Sequence, residues 1–277
     1  MENTHPDPLF DLSGKTAVIT GGGGVLGGAI ALGLAELGVN VAILDRTRQS
    51  GDQVVEKIIS AGGKALAVEC DALNKSNLVE AHRIVRNHFG KTDFLINGVG
   101  GNKAEATTSS DQSFFDLPED ALQWVFNLNF LSAVLACQVF GREMAENQAG
   151  VILNFSSMNA FRPLTRIPAY SAAKSAINNF TQWLAVHMAQ EYSPAIRVNA
   201  LAPGFFMTEQ NRFLLTDRAT GELSARGQKI IDHTPIGRFG NPQDLIGTVV
   251  WLLSPASDFV TGVAVPIDGG FSAFSGV

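Results

Sequence analysis

Apolar and amphipathic stretches alternate along the chain from one end to the other. The apolar stretches are short and contain few polar residues, which is typical of strands buried on both faces of a parallel sheet. They lie at residues 15–20, 39–44, 65–70, 93–97, 150–156, 196–201 and 263–267. The pattern therefore predicts seven strands.

Between these strands, apolar residues recur at the spacing of one helix face. The predicted helices span residues 25–37, 50–61, 75–89, 118–146, 168–191 and 242–253. Strands that alternate with helices form right-handed βαβ units. The pattern predicts the α/β fold class, with a single doubly wound parallel sheet of the Rossmann type and helices on both faces.

One segment does not follow this alternation. Residues 205–234 are irregular and only partly helical, and long irregular segments in compact domains are often functional. We expect this segment to form a lid over a substrate. Because no linker, repeat or low-complexity block interrupts the chain, residues 1–277 are predicted to form one domain.

The charge balance argues against some classes of partner. The formal net charge is −6 and no basic stripe is present, which argues against binding of nucleic acid. Apolar runs are broken by Gly, Asn or charged residues before they reach membrane-spanning length, and the N-terminus lacks the apolar segment of a signal peptide. We therefore expect a cytoplasmic protein with no membrane partner. The five histidines have no metal-ligand spacing, so no metal site is predicted.

Candidate chemistry lies in the segment from Tyr170 to Lys174, thirteen residues after Ser157. Residues four apart on a helix lie on the same face, one turn from each other. A neighbouring ammonium favours the phenolate form of a tyrosine. We expect Lys174 to lower the pKa of Tyr170, so that the tyrosine can exchange a proton with an alcohol oxygen. The alternative is an ordinary surface pair on a helix.

A glycine-rich turn at residues 21–27 joins the first strand to the first helix. Glycines let a pyrophosphate approach the backbone closely, and the helix that follows offers free N–H groups. Asp45 ends the second strand, near the position at which an acid binds the ribose hydroxyls of NAD. Arg46 could instead hold the 2′-phosphate of NADP, so NAD is favoured and NADP stays open. Asp71, at the end of the third strand, is either an acceptor for adenine or a turn residue.

Several segments together resemble the short-chain dehydrogenase/reductase family over nearly the whole chain. They are Thr20 to Gly27, Asn97 to Gly100, Asn129, Ser157 with Tyr170 and Lys174, Pro203 to Thr208, and Asp268 to Gly270. The first departs from the family pattern at Val25, where a glycine is usual. The loop at residues 100–108 also looks like the D-mannonate oxidoreductase (fructuronate reductase) branch. The resemblance implies an NAD(P)-dependent dehydrogenase or reductase that acts on CH–OH groups in carbohydrate metabolism.

The resemblance also implies roles for individual residues. Tyr170 is expected to be the general acid/base, and Ser157 to bind the reacting oxygen. Lys174 is expected to hold the nicotinamide ribose, and Asn129 to complete a water-linked proton path. The cofactor-binding residues it implies are Gly21, Gly23, Gly24, Val25, Leu26, Gly27, Asp45, Arg46, Asp71, Ala72, Asn97, Gly98, Tyr170, Lys174, Pro203, Gly204, Phe206 and Thr208. Family members commonly form tetramers, so a homo-oligomer, a tetramer or a dimer, is expected.

The loops that should border the reacting carbon are polar. The candidate substrate residues are Asn102, Lys103, Ser157, Asn159, Arg162, Arg166 and, from the predicted lid, Arg212. Such polarity suits a hydroxyl-rich and acidic small molecule, because arginine binds a carboxylate through two hydrogen bonds. The favoured reaction is the interconversion of D-mannonate and D-fructuronate.

Other interpretations stay open. The arginines could be solvated, and the substrate could be a neutral polyol, a sugar or a 3-oxoacyl thioester. A protein that binds a nicotinamide cofactor for regulation, without turnover, is an alternative of another class, because a fold does not fix a function.

Overall fold

Residues 7–207, 215–217 and 220–276 are described by the structure, a computed structural model. Their centre is one seven-stranded sheet with the strand order β3-β2-β1-β4-β5-β6-β7. All neighbouring strands in it are parallel. The strands are β1 Thr16–Thr20, β2 Asn40–Asp45, β3 Lys64–Glu69, β4 Phe94–Asn97, β5 Gly150–Phe155, β6 Ile196–Pro203 and β7 Ala264–Ile267. The predicted doubly wound sheet is confirmed.

Helices connect the strands on both faces of the sheet. They are α1 Val25–Glu36, α2 Arg48–Ser60, α3 Lys75–Phe89, α4 Glu119–Phe126, α5 Ser132–Glu146, α6 Pro168–Glu191, α7 Ala225–Asp232 and α8 Ile246–Leu253. One buried core lies between the sheet and α1, α2 and α8, and the other lies between the sheet and α3, α5 and α6. The uninterrupted apolar strands follow from this arrangement, because both of their faces are covered.

The predicted helix at residues 118–146 has an internal irregularity. A π turn at Asn127–Leu131 separates α4 from α5 without breaking the helical path. Single π turns inside α-helices are frequent at functional sites. By length and composition, the continuous helix Glu119–Glu146 could cross a membrane, but half of its most apolar window is buried within the fold, as in the core helix of a globular protein.

The expected lid at residues 205–234 is described only in part. Its described residues include α7 and an isolated bridge between Thr216 and Leu223. Ser224 caps α7 by accepting a hydrogen bond from Gly227 N at 3.1 Å. Thr208 and Arg212, which the sequence assigned to cofactor and substrate, lie outside the described residues.

The strand register fixes the edge where a ligand would lie. Thr20 pairs with Asn97, Asn97 with Asn154, and Phe155 with Leu201. The loops that leave these carboxyl ends meet at one edge, and the strand order reverses between β1 and β4. In open α/β sheets, ligands bind in the crevice at this switch point.

Candidate active site

The glycine turn after β1 has no room for side chains. Gly21 has a φ of 68°, in the left-handed region that favours glycine. A Cβ on Gly27 would lie 2.6 Å from the Gly21 carbonyl oxygen, and one on Gly23 would lie 2.9 Å from Asp45 Oδ2. Gly24 is the N-cap of α1 and has no capping side chain, so N–H groups of the first turn can bind an external acceptor such as a phosphate.

Val25 replaces the family's usual glycine without distorting the turn. It is the first residue of α1, and its side chain is 38% exposed. Its neighbour Leu26 packs in part against the core. Gly21, with its positive φ, and Gly23 and Gly27, where an added Cβ would collide with neighbouring atoms, are all retained as glycine. The replacement at Val25 lies outside these crowded positions.

Asp45 holds the glycine turn with its carboxylate. Its Oδ2 accepts a hydrogen bond from Gly23 N at 3.2 Å, and its Oδ1 accepts one from Thr47 N at 3.1 Å. Arg46 is exposed and lines a cavity of about 240 Å³ whose other charged residues are Glu69, Asp71 and Glu80. Three carboxylates beside one arginine make this a poor site for the 2′-phosphate of NADP.

Asp71 lies at the end of β3 and shapes a turn. Its Oδ1 accepts a hydrogen bond from Leu73 N at 2.9 Å, which supports the turn interpretation. Ala72 beside it is buried. Both residues lie beyond the carboxyl end of β3, on the same side of the sheet as the glycine turn.

Lys174 is buried between α6 and β5. It is 3% exposed, and its Nζ donates a hydrogen bond to the Phe155 carbonyl oxygen at 2.7 Å. Burial lowers the pKa of Lys174 to about 7. A lysine with that pKa gains or loses its charge within the physiological range.

Tyr170 and Lys174 are one turn apart, as predicted, but the electrostatics differ from the expectation. The Lys174 Nζ lies over the Tyr170 ring, 5.6 Å from its centroid. Burial raises the pKa of Tyr170, and a hydrogen bond with Ser157 lowers it by a smaller amount. The expected lowering by Lys174 is wrong for this structure, because the ammonium approaches the ring and the burial cost of the phenolate is larger.

Ser157 begins the loop after β5 and faces Tyr170. It is 6% exposed, and it caps the short 3₁₀ helix Met158–Ala160 by accepting a hydrogen bond from Asn159 N at 3.2 Å. Two further hydrogen bonds join α6 to β5 and to Ser156, the residue that follows β5. Asn154 Nδ2 donates to Thr181 Oγ1 at 2.9 Å, and Ser156 Oγ donates to the Lys174 carbonyl oxygen at 3.3 Å.

Asn129 lies in the π turn and fixes the loop after β4. Its Nδ2 donates to the carbonyl oxygens of Gly101 at 2.6 Å and of Val125 at 2.8 Å, and its Oδ1 accepts from Gly101 N at 3.1 Å. A Cβ on Gly100 would lie 2.6 Å from Asn129 Oδ1 and 3.2 Å from Lys174 Nζ. Asn129 and Lys174 therefore meet across Gly100.

Asn97 faces the core. Its Nδ2 donates to Asn154 Oδ1 at 2.8 Å and to Cys137 Sγ at 3.2 Å. Gly98, the next residue, contacts the glycine turn: its N–H donates to the Thr20 carbonyl oxygen at 3.0 Å. The Asn97 side chain therefore connects β4 to β5 and α5. The backbone of Gly98 connects the loop after β4 to the last residue of β1.

The segment after β6 continues the crevice wall. Pro203 ends β6, and a Cβ on Gly204 would lie 2.6 Å from the Cβ of Asp268. Phe206 is 5% exposed and packs over Gly240, where a Cβ would meet its ring at 2.8 Å. A cavity of about 200 Å³ opens beside Phe206 and Asp268.

The proposed substrate residues fall into two groups. Asn159 is buried beside Ser157. We call the remaining described ones, Asn102, Lys103, Arg162 and Arg166, the rim, and we call Ser157, Tyr170, Lys174 and Asn129 the inner wall.

The contacts that the structure gives the rim side chains are with the protein itself. Asn102 Nδ2 donates to Thr107 Oγ1 at 2.7 Å, and Lys103 Nζ lies 5.3 Å from the centroid of the Trp124 ring. Arg162 Nε donates to the Ser272 carbonyl oxygen at 3.1 Å. The Arg166 carbonyl oxygen accepts from Thr108 N at 2.9 Å, which joins the loops after β4 and β5.

Sequence reasoning missed part of the crevice. The C-terminal segment after β7 packs through the rings of Phe271 and Phe274 onto Phe205 and His233. Asp268 holds that segment by accepting hydrogen bonds from Gly270 N and Ser272 N, both at 2.9 Å. The Asp-Gly-Gly sequence was a signal for a turn there, but nothing local indicated that the turn would bring aromatic rings over the crevice.

Comparisons with known proteins agree with this geometry. The statistical model of a family described as enoyl-(acyl carrier protein) reductase, adh_short_C2, matches residues 24–272. An uncharacterized oxidoreductase of Bacillus subtilis, UxuB, is 50% identical over 280 residues, covering 98% of this chain and 99% of its own. A crystal structure of a candidate D-mannonate oxidoreductase from Haemophilus influenzae, with bound NAD, is 45% identical with a TM-score of 0.90. The alignment covers 96% of this chain and 98% of the other.

A more distant relative has a stated reaction. The 5-keto-D-gluconate 5-reductase of Escherichia coli is 34% identical over 263 residues, covering 95% of this chain and 97% of its own. These similarities extend over nearly the full length of each protein, so they include the loops of the crevice as well as the sheet.

Proposed function

The chain belongs to the short-chain dehydrogenase/reductase family, and from that premise we propose that it interconverts a secondary alcohol and a ketone on a sugar acid. Family members are NAD(P)-dependent dehydrogenases and reductases that act on CH–OH groups. The favoured pair is D-mannonate and D-fructuronate. The single observation that carries the reaction type is the inner wall, in which a phenol, a hydroxyl and an ammonium lie together beyond the carboxyl end of β5.

Tyr170 is the proton donor and acceptor in this proposal. In ketone reduction its phenol gives a proton to the carbonyl oxygen, and Ser157 donates a hydrogen bond to the same oxygen. In alcohol oxidation the Tyr170 phenolate takes the proton from the substrate hydroxyl, while Ser157 keeps its hydrogen bond to the same oxygen. Lys174 lies over the ring as the nearby cation, and Asn129 keeps the adjacent loop and π turn in place for the proton path. Burial raises the pKa of Tyr170, so the phenol is held in the protonated form that gives a proton in ketone reduction.

A nicotinamide dinucleotide fits the crevice. Glycines at the turn leave its backbone open to close approach by a pyrophosphate, and the start of α1 has no side-chain cap on its N–H groups. When bound, the cofactor supplies or accepts the hydride. The Asp45 carboxylate and the acids near Arg46 support NAD over NADP, since both repel a 2′-phosphate.

The substrate class rests on the relatives and on the rim. One relative is named a 5-keto-D-gluconate 5-reductase, and another is a candidate D-mannonate oxidoreductase; both of these substrates are hydroxylated acids. The rim of this chain carries an amide, an ammonium and two guanidinium groups. These groups suit hydroxyls and a carboxylate better than a steroid or an acyl chain.

The experiment is a substrate panel with both cofactors. Consumption of NADH and of NADPH is measured with D-fructuronate, 5-keto-D-gluconate, a neutral ketose and a 3-oxoacyl thioester. We expect turnover with the sugar acids and a preference for NADH. Turnover with the thioester or the neutral ketose alone would overturn the substrate class and leave the reaction type standing.

The lid and the oligomer extend this proposal. We propose that residues 205–234 cover the substrate. We also propose that the whole chain forms a single domain. We also propose that a second copy packs on the outer faces of α4 and α6, within a cytoplasmic homotetramer or dimer. The support is an apolar groove of about 420 Å³ lined by Phe114, Phe126 and Ala172, together with Trp183, which is 57% exposed. A smaller mass in solution for Trp183→Glu than for the wild type is the expected result.

A further inference from the structure

Asn159 contacts the hydroxyl of Ser157 twice. Its backbone N–H donates to Ser157 Oγ at 3.2 Å, and its side-chain Nδ2 donates to the same oxygen at 3.4 Å. Its Oδ1 accepts a hydrogen bond from Leu164 N at 3.1 Å. Asn159 is 6% exposed, so its amide is directed into the protein and not into solvent.

These contacts limit what the Ser157 hydroxyl can do. A serine hydroxyl has one proton to donate and two lone pairs that accept hydrogen bonds. Both lone pairs are engaged by the N–H groups of Asn159. The remaining capacity of the hydroxyl is its own proton, and that proton is directed to another acceptor. Tyr170 is a further hydrogen-bond partner of this hydroxyl.

We propose that Asn159 is a positioning residue that makes Ser157 a hydrogen-bond donor, toward the Tyr170 oxygen in the free enzyme and toward the reacting oxygen when substrate is bound. This inference rests on the proposed function of Ser157 and Tyr170. It changes the role of Asn159 from the substrate ligand that the sequence suggested to a residue that acts through Ser157. The titratable groups facing this pair, Tyr170 and Lys174, both lie on α6.

A carboxylate at position 159 would reverse the direction of the hydrogen bond between residues 157 and 159. If the amide were replaced by a carboxylate, the side chain could only accept hydrogen bonds. The Ser157 proton would then be drawn to position 159, and the hydroxyl would no longer donate to Tyr170. The bond from Leu164 N would be kept, because it needs only an acceptor. Asn159→Asp therefore separates the orientation of the hydroxyl from the anchoring of the loop.

The test is Asn159→Asp in the full-length enzyme, with turnover measured in both directions. We expect kcat to fall by roughly 10-fold, as for loss of one hydrogen bond to a developing charge, with little change in KM. We also expect the alkaline limb of alcohol oxidation to move to higher pH, because the phenolate of Tyr170 loses a donor. Asn87→Asp, at an exposed position on α3, is the control for added charge and should leave both unchanged.

A double-mutant cycle with Ser157→Ala completes the test. If Asn159 acts only through the hydroxyl, Asn159→Asp has no further effect on kcat when Ser157 is already alanine. Independent effects of the two substitutions would overturn the proposal. If the aspartate variant does not fold, Asn159→Leu in the same cycle tests the same coupling.

The outcome is distinguishable from failure of the proposed function. If Tyr170→Phe abolishes turnover while Asn159→Asp has wild-type kcat and pH profile, this inference alone is wrong. If Tyr170→Phe retains full activity, the assignment of the inner wall is wrong, and the positioning role of Asn159 is overturned with it.

Discussion

The inner wall and the rim, which we propose border the same substrate, differ in how they are built. Ser157, Asn129 and Lys174 are each 6% exposed or less, and each is held by hydrogen bonds to backbone groups or to its neighbours. The rim arginines, Arg162 and Arg166, are exposed and lie on a loop. Burial fixes the geometry of the wall before any ligand arrives, whereas the rim side chains can adapt.

This difference separates the reaction from the substrate. Groups that move protons need fixed positions and shifted pKa values, which burial supplies. Groups that recognise a hydroxylated acid need to reach it, and exposed arginines can exchange contacts with the protein for contacts with a ligand. Substitutions in the wall should therefore change kcat, and substitutions in the rim should change KM.

The largest expected effect is that of Tyr170→Phe. Removing the phenol oxygen removes the proton donor, so kcat should fall by roughly 10²–10⁴-fold. Binding of NADH, followed by fluorescence, should persist. Tyr192→Phe is a matched control, because Tyr192 is the other of the two tyrosines in the chain and is 47% exposed at the end of α6. Similar activities of the two variants would show that the wall does not carry the chemistry.

Gly100→Ala tests the packing of the inner wall, because Gly100 lies between Asn129 and Lys174. The added Cβ would lie 2.6 Å from Asn129 Oδ1 and 3.2 Å from Lys174 Nζ. Because both neighbours must move, we expect a loss of stability of about 1–3 kcal/mol and a kcat lower by roughly 10-fold or more. Chemical denaturation and steady-state rates measure these effects. Gly247→Ala is the control, since nothing lies within 4 Å of its added Cβ; equal stability of both variants would contradict the packing argument.

The pH dependence of the rates should distinguish the inner wall from the rim, because the groups with shifted pKa values, Tyr170 and Lys174, lie in the inner wall. Burial lowers the pKa of Lys174 to about 7, so the free enzyme loses this cation as the pH rises through 7. We expect kcat/KM for ketone reduction to fall there, by up to about tenfold per pH unit. Alcohol oxidation should instead rise toward alkaline pH, since burial raises the pKa of Tyr170. Persistence of the inflection near pH 7 in Lys174→Met would rule out Lys174 as its origin.

The smallest expected effect on kcat is that of Arg162→Ala in the rim. Loss of one guanidinium should raise KM for a sugar acid by roughly 10-fold and leave kcat within about threefold. The same variant should show no such change with a neutral ketose that the wild type turns over. Arg83→Ala on α3, where Arg83 pairs with Glu80, is the control. A large loss of kcat would place Arg162 in the wall.

The fold was predictable because its strands are covered on both faces. The predicted first strand at residues 15–20 is observed at Thr16–Thr20, since two-sided burial leaves an uninterrupted apolar run that needs no alternation. The predicted helix at residues 118–146 contains the π turn at Asn127–Leu131, which the apolar pattern did not indicate.

The candidate site was predictable as a set of residues but not in its electrostatics. Spacing placed Tyr170 and Lys174 one turn apart, and it could not indicate that burial raises the tyrosine pKa. Asn159 was assigned to the substrate because it is polar and near Ser157, whereas its direction depends on the path of the loop to Leu164. The contact of Arg162 with Ser272 joins residues 110 positions apart, which no local pattern encodes.

A single-turnover measurement tests most simply whether Tyr170 is the proton donor in a reduction by NADH. Enzyme with stoichiometric NADH is mixed rapidly with D-fructuronate or 5-keto-D-gluconate, and oxidation of the bound NADH is followed for the wild type and for Tyr170→Phe. We predict that the wild type oxidises its NADH in one fast phase, and that the variant binds NADH equally well but leaves it reduced. Oxidation at the wild-type rate in the variant would contradict the account.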